Sequence, residues 1–479
     1  MTHPRTIGHG GPPAPHGRWT PALWGLLLVL AGNMLIDALE VSVALVALPA
    51  IGQDLGIAGP RLHWVVSGFA VGFGALLLFG ARLVALLGRR PVYLAALLVF
   101  AAASLAGALT DAVPVLIATR FVKGFCAALT APTGLAIIAA TFPEGRERAR
   151  AVSVYTLCGG CGFSAGLLLS GVLTEASWRW TFAFPAPVAL LLFAFALRLI
   201  PHDTPGNAPE RTSGKQPARS YGFAGALTLT GGVLLLLYAL TSGAEAGWAH
   251  ARTLGSFAAA GLLLVAFVRV ERGARQPLVR RQLLRDRHLV RSALGAAALN
   301  GSFLGLLFLS TLHLQRTAGW TPLQTALAFL PASVPLAASA LYSGRMVARF
   351  GPARLIVAGA ALPPLGYLLA LRQPVPVRYV TDVLPTMLLV GAGFVLAFTA
   401  LHMQATSRIP AERQGAASGI YQTAVQMGAA FVLAPAAVLR TDSHRLGLLL
   451  VTVVGALGLA VALTGVRPQA PRARPESGP

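Results

Sequence analysis

Ala81-Arg82-Leu83-Val84-Ala85-Leu86-Leu87-Gly88 recurs as Gly344-Arg345-Met346-Val347-Ala348-Arg349-Phe350-Gly351, with Arg, Val, Ala and Gly all displaced by the same 263 residues. Each copy ends an apolar block of about 20 residues, long enough to cross a hydrocarbon core of about 30 Å. The blocks recur along the whole chain, and the displacement spans eight of them, whereas each similar half holds six. Two blocks are therefore inserted between duplicated halves. Duplicated halves around a midplane cavity are the architecture of secondary transporters.

Outward from this repeat, the composition agrees. Of 479 residues, 55% are hydrophobic and only 11% charged, where a soluble globular protein carries about 25% charged residues. Too little charge is present to cover a water-facing surface, so an all-α polytopic membrane protein is expected, with fourteen transmembrane helices from 22–49 to 446–466. The predicted layout is an N-terminal tail (1–21), a six-helix bundle (22–200), a linker (201–220), two inserted helices (221–270), a basic connection (271–289), a second six-helix bundle (290–466) and a C-terminal tail (467–479).

The formal charge of +22 is not one patch. Both tails and the connections at 81–90, 142–150, 198–220, 269–291, 344–354 and 404–414 carry 28 of the 38 cations and a net charge of +20, against +2 on the other side. The positive-inside rule makes the first face cytoplasmic. Both termini are predicted inside a cell membrane, and anionic lipid headgroups account for the basic balance better than nucleic acid does.

Other classes fall away. The first apolar block runs through Asp37 and Glu40 to Pro49, too long and too polar for a cleaved signal. Cys126, Cys158 and Cys161 are intramembrane, so no disulfide framework is implied. No P-loop offers an ATP site, no His/Cys cluster has metal-ligand spacing, and no polar stretch is long enough for a catalytic domain. Neither an enzyme nor a cofactor is expected; the energy source would be a proton gradient.

Several motifs in order resemble a known family. The connection Arg82 to Gly88-Arg89-Arg90 looks like the cytoplasmic signature G-x-L-A-D-R-x-G-R-R of the major facilitator superfamily, and Arg120-Phe-Val-Lys123-Gly124 like its R-x-x-Q-G stretch. Leu39-Glu40-Val-Ser42 to Pro49 is similar to L-D-x-T-x-x-N-x-A-L-P of the fourteen-helix drug/proton antiporters (EmrB/QacA type). Gly162-x3-Gly166-Leu167-x2-Ser170-Gly171, then Trp178-Arg179-Trp180, resembles that group's antiporter motif and its sequel. Gly415 to Gly419 matches its G-x-A-S-G segment. The resemblance implies a major facilitator fold, export of drug-like or antibiotic-like molecules in exchange for protons, gating through the signature and the antiporter glycines, and proton transfer involving Arg120. Ala85 and Leu86 stand where the signature has Asp and Arg, Leu167 replaces the antiporter Pro, and Glu40 replaces the helix 1 Asp.

Asp37 and Glu40 are the acids well inside a span, and i,i+3 spacing puts both on one face of helix 1. Intramembrane acids mark ion and substrate pathways by default. Two carboxyls this close would titrate as a coupled pair, which suits proton carriage; a plain interhelical ion pair is the alternative. Arg120 and Lys123 repeat the spacing on helix 4, and the expected arrangement is two neutralised pairs with Asp37 and Glu40. Lys123, Asn300, Tyr421, Gln422 and Gln426 are weaker candidates to line the cavity. Phe69, Phe73, Phe303 and Phe308 face either substrate or, more commonly for such residues, lipid. A monomeric proton-coupled exporter of a small molecule is the expected function; a uniporter or symporter of a small metabolite and a non-transporting receptor or scaffold remain the rivals.

Overall fold

A computed structural model describes residues 19–57, 59–202, 222–274, 277–279, 281–372 and 376–465. The two predicted tails and the 201–220 linker lie largely outside these residues.

Among the described residues fourteen long helices follow one another: α1 Pro21–Asp54, α2 His63–Leu87, α3 Arg89–Leu109, α4 Val113–Thr141, α5 Arg146–Ala176, α6 Trp178–Leu199, α7 Phe223–Ala246, α8 Ala251–Gly273, α9 Arg287–Arg316, α10 Pro322–Phe350, α11 Pro352–Ala370, α12 Tyr379–Thr406, α13 Ala411–Asp442 and α14 His444–Thr464. Thirteen stretches among the described residues are apolar and long enough to cross a membrane. The remaining helix, α10, is 29 residues long and packs against α5 and α12. This is an all-α, multi-pass membrane protein.

Local chemistry sets the helix ends. Thr20 accepts a hydrogen bond from the Leu23 N–H ahead of Pro21 at the first helical position, where a proline lacks only an N–H that would be orphaned anyway. Thr321 and Gln324 form a reciprocal capping box at the start of α10. The two copies of the repeated octapeptide end alike, with Gly88 at φ +93° and Gly351 at φ +77°. Each N–H closes on the carbonyl four residues back, Val84 and Val347. Only glycine takes that backbone without a Cβ penalty, so the repeat is a repeated helix stop.

Packing repeats as well. α1 lies on α5, α2 on α4 and α3 on α6; eight helices later α9 lies on α13, α10 on α12 and α11 on α14. The first six and last six helices meet along two seams, α5 with α10 and α2 with α13. The inserted α7 covers the second seam, touching both α2 and α13, and α8 packs on α7. Apolar side chains such as Leu191, Leu262, Val265 and Leu457 are more than half exposed on the outer surface, as expected when the surrounding solvent is hydrocarbon.

The halves close on each other at the face opposite the basic connections. There Gly171 of α5 abuts Leu323 and Ala326 of α10, and Gln315 of α9 donates to the Val46 carbonyl of α1 at 3.0 Å. At the basic face, Gly145 before α5 and Gly344 in α10 have no atom within 4 Å of where a Cβ would stand. On the α7 side, Arg82 donates to the Pro277 carbonyl at 2.7 Å and Arg413 to Gln282 at 3.0 Å. The basic connection thereby touches both halves.

Candidate functional site

The site is built where α1, α2 and α4 come within backbone contact. A Cβ at Gly72 would strike the Phe121 carbonyl, and one at Gly124 would strike the Phe69 carbonyl. Small residues at these positions let α2 and α4 approach closely, and Arg120 and Lys123 reach from α4 to Glu40 of α1. Gly162 lies against Leu35 and Ala38, and Gly166 against Leu39 and Ser42. The antiporter-motif glycines thus clamp α5 on the segment of α1 that bears both acids. Two hydroxyls lock the same interface: Ser42 donates to the Phe163 carbonyl at 2.7 Å and Ser170 to the Val43 carbonyl at 2.6 Å.

Glu40, Arg120 and Lys123 form a triad with no solvent exposure. Arg120 Nη1 binds Glu40 Oε2, while its Nη2 and Nε donate to the Glu40 and Val65 carbonyls, each at 2.8 Å. Lys123 Nζ takes the other carboxylate oxygen at 2.5 Å. Aromatic faces complete the enclosure: Phe69 and Phe182 lie 5.1 and 5.8 Å from the guanidinium, and Phe100 and Phe182 lie 5.0 and 5.6 Å from the ammonium. A ring face is electron-rich, so each contact offsets part of the cations' lost hydration.

The expected two ion pairs do not form. Both cations grip Glu40, and Asp37 instead accepts from Asn33 Nδ2 at 3.0 Å and Thr130 Oγ1 at 2.7 Å. Helix geometry explains it. Asp37 sits about one turn, roughly 5 Å, from Glu40 along α1, and the α4 residue at its level is Thr130, two turns beyond Lys123. Phe69 and Phe73 also depart from the lipid-facing expectation: both are buried, as are Phe303 and Phe308.

The weaker candidates disperse. Asn300 donates to the Val425 carbonyl at 2.9 Å and the Tyr421 hydroxyl to the Phe398 carbonyl at 3.1 Å, so each ties two helices. Gln426 is buried beside Gly74 on the α2–α13 seam, and Gln422 is partly exposed. Of the signature residues, Arg90 donates to the Leu197 carbonyl at 2.6 Å, and Arg89 is half-buried at the start of α3.

Four features escaped sequence reasoning, the first being Thr130, which no spacing tied to Asp37. Asn33 was legible in principle, four residues before Asp37 on one helix face. Gly68-x3-Gly72 in α2 was a readable close-packing signal. Asp54 at the far end of α1 had no signal; it accepts from Trp178 Nε1 at 2.8 Å and from Arg179 at 3.1 Å, and Arg179 also reaches Asp111 at 2.6 Å. This clasp joins α1, α6 and the α3–α4 turn at the closed face, and gives the Trp178-Arg179 pair its role.

Comparison with known proteins identifies the family. The chain is 34% identical over 422 residues to a puromycin resistance protein of Streptomyces alboniger, covering 87% of this chain and 80% of that one. It is 33% identical over 416 residues to a cephamycin export protein of Amycolatopsis lactamdurans, covering 86% and 84%. A D-xylose-proton symporter shares the fold with a TM-score of 0.65 at 16% identity, covering 93% of this chain and 98% of the other. The sequence profile of the Major Facilitator Superfamily matches residues 30–433; the chain belongs to that superfamily and is a transporter rather than an enzyme.

Proposed function

We propose that this transporter exports drug-like or antibiotic-like small molecules in exchange for protons, by alternating access between the halves 22–200 and 290–466. Two relatives carry puromycin resistance and cephamycin export in their names, which supports the cargo class. The observation that carries the coupling is the fully buried Glu40–Arg120–Lys123 triad with Asp37 beside it. A carboxylate shared by two cations in a dry site holds both of them only while it is ionised. Protonating it releases the cations, and their freed hydrogen bonds make the helix positions of α1, α2 and α4 depend on proton occupancy.

Glu40, Asp37 and Arg120 carry the coupling in this scheme, and Lys123 tunes it. Gly162, Gly166 and Gly171 hold the sliding contacts, and Arg82, Gly88, Arg89 and Arg90 hold the hinge at the basic face. Asn300, Tyr421, Gln422 and Gln426 lie on the substrate side of the second half. The basic face and both termini look into the cytoplasm against anionic headgroups of the cell membrane. The unit is a monomer that uses no cofactor and binds no nucleic acid.

An efflux-deficient host exposed to a compound panel including puromycin, with and without the protein, tests the cargo. Proteoliposomes with an imposed pH gradient test the coupling. Uptake driven with the gradient rather than against it would make the protein a symporter. Reporter fusions after Glu210, Asp286 and Ser477 should read cytoplasm, and those near Gly243 and Asp382 the exterior; an interior signal at Gly243 would remove α7 and α8 from the membrane.

A further inference from the structure

The second half contains a narrow slot at a place that the first half fills with its own side chains. The slot is bounded by α9, α11, α12 and α14 alone, so it lies off the seams between the halves. Arg291 of α9, Ala353 of α11 and Gly465 of α14 stand at its mouth on the basic face; Ser302, Pro363 and Gly455 stand at its deep end. Along each helix the two ends are about three turns apart, roughly 15 Å, half of a hydrocarbon core of about 30 Å. The slot is therefore one leaflet deep. Its empty space, open mouth included, is about 590 Å³.

The repeat explains the opening. The same displacement of 263 residues lays α3 on α11 and pairs Tyr93, Leu97 and Phe100 with Ile356, Ala360 and Pro363. The three α3 side chains are buried in the core of the first half, whereas their smaller counterparts line the slot. Polarity along the slot is graded. At the deep end the Tyr367 hydroxyl donates to Ser302 Oγ at 3.0 Å, and Ser302 donates to the Ala298 carbonyl at 2.6 Å, so both hydroxyls are engaged. At the mouth, none of the ion pairs among the described residues uses Arg291. Gln404 accepts from Ser292 through its amide oxygen at 3.2 Å, which leaves its N–H groups to donate. Arg354 is exposed next to Ala353.

We propose that the slot binds one anionic phospholipid of the leaflet at the basic face, with an acyl tail inside and the headgroup phosphate on Arg291 and Gln404. An apolar slot does not hold water, and left empty it forfeits dispersion contacts along its walls. A tail one leaflet long restores them. Passing from the bilayer into the slot gives that tail no hydrophobic gain, because lipid is as apolar as the walls. Selectivity therefore resides at the mouth, where a guanidinium without a carboxylate favours a head of net negative charge. The site requires neither cargo nor proton.

Native mass spectrometry of the full-length protein in detergent, titrated with dioleoyl phosphatidylglycerol or dioleoyl phosphatidylcholine, reads the site directly. One phosphatidylglycerol should stay bound at collision energies that strip other lipids, and phosphatidylcholine should bind severalfold more weakly. Arg291→Gln should weaken phosphatidylglycerol about tenfold, the loss of one charge-assisted hydrogen bond, and remove the preference. Ile356→Tyr combined with Ala360→Leu gives α11 the side chains of α3; this variant should lose the tightly held lipid and keep its unfolding temperature. Equal retention by the wild type and the filled variant overturns the proposal, as does equal affinity of the wild type for the two lipids. Glycerol 3-phosphate, a head without a tail, should not displace the lipid; displacement would leave only a phosphate site at Arg291 and sink the slot assignment. Should the filled variant fail to fold, Arg291→Gln decides alone, and an unchanged lipid preference there is fatal to the proposal.

Discussion

The first and last six helices share a scaffold and differ in chemistry. The 263-residue displacement that pairs Gly88 with Gly351 also pairs Asp37 with Asn300 and Glu40 with Phe303. Where the first half holds an acid between two cations, the second holds aromatic rings: Phe303 lies 4.9 Å from Phe394, which stacks 4.9 Å from Phe398. Asn300 makes one hydrogen bond to a carbonyl where Asp37 takes two donors. The scaffold tolerates this because packing depends on small residues and helix ends, not on the polar cargo of the face. Gly124 of α4 against Phe69 of α2 in one half has its parallel in Gly391 of α12 against Ala332 of α10 in the other. Duplication thus preserved the way helices meet, and the buried charge stayed in a single half.

The largest expected asymmetry is at Arg120. Arg120→Leu leaves Glu40 paired with Lys123 alone and strips the Glu40 and Val65 carbonyls of their donor, so it should cost about 1–3 kcal/mol for each buried group left unsatisfied and abolish efflux. Asn300→Leu in the second half loses one neutral hydrogen bond, about 1 kcal/mol, with efflux largely kept. Thermal unfolding in detergent and an efflux assay give both numbers. Equal losses from the two variants would break the contrast between the halves.

Packing should behave symmetrically where charge does not. Gly124→Val and Gly391→Val each force a side chain into a neighbouring helix backbone, and overpacking of this kind costs about 1–3 kcal/mol. Both variants should lower the unfolding temperature alike. A large effect in one and none in the other would show that the duplicated contacts no longer share a load.

The hinges come next. Ala85 and Ala348 occupy equivalent, exposed places in the repeated octapeptide. Ala85→Asp restores the acid of the family signature and should shift cysteine labelling between the two cavity mouths severalfold. Ala348→Asp should do less, because Arg82 in the first copy holds the Pro277 carbonyl of the connection. An unchanged ratio in Ala85→Asp would place the latch elsewhere, at Arg345 and Arg349.

The smallest effect concerns the closed-face clasp. Asp54 and Asp111 are 49% and 85% exposed, and an ion pair so open to water contributes under about 1 kcal/mol. At the same level the second half stacks His313 on His444, ring centroids 4.4 Å apart. Asp54→Asn should therefore leave the unfolding temperature within a few degrees of the wild type. A fall as large as that of Arg120→Leu would make the clasp, not the triad, the structural keystone.

Much of this fold is legible in the chain because hydrocarbon leaves the backbone few options. With no water to satisfy N–H and C=O groups, a 20-residue apolar run must be a helix, so composition and block length were enough for fourteen helices. The repeated octapeptide carried the duplication because a helix stop needs glycine at a positive φ wherever it recurs. The acids and cations stood out for a similar reason, since an ion inside a span demands an account.

What the sequence could not settle was who partners whom. Spacing placed Asp37 with Glu40 and Arg120 with Lys123, each pair on one face, and charge balance suggested two ion pairs. The rotation and vertical offset of α1 against α4 decided otherwise: both cations stand level with Glu40, and Thr130 stands level with Asp37. Pairing of buried charges depends on differences of a few ångströms between helices that are far apart in sequence. The chain by itself determined that these charges are buried, and on which helix faces; only tertiary packing decided that one acid takes both cations and the other takes none.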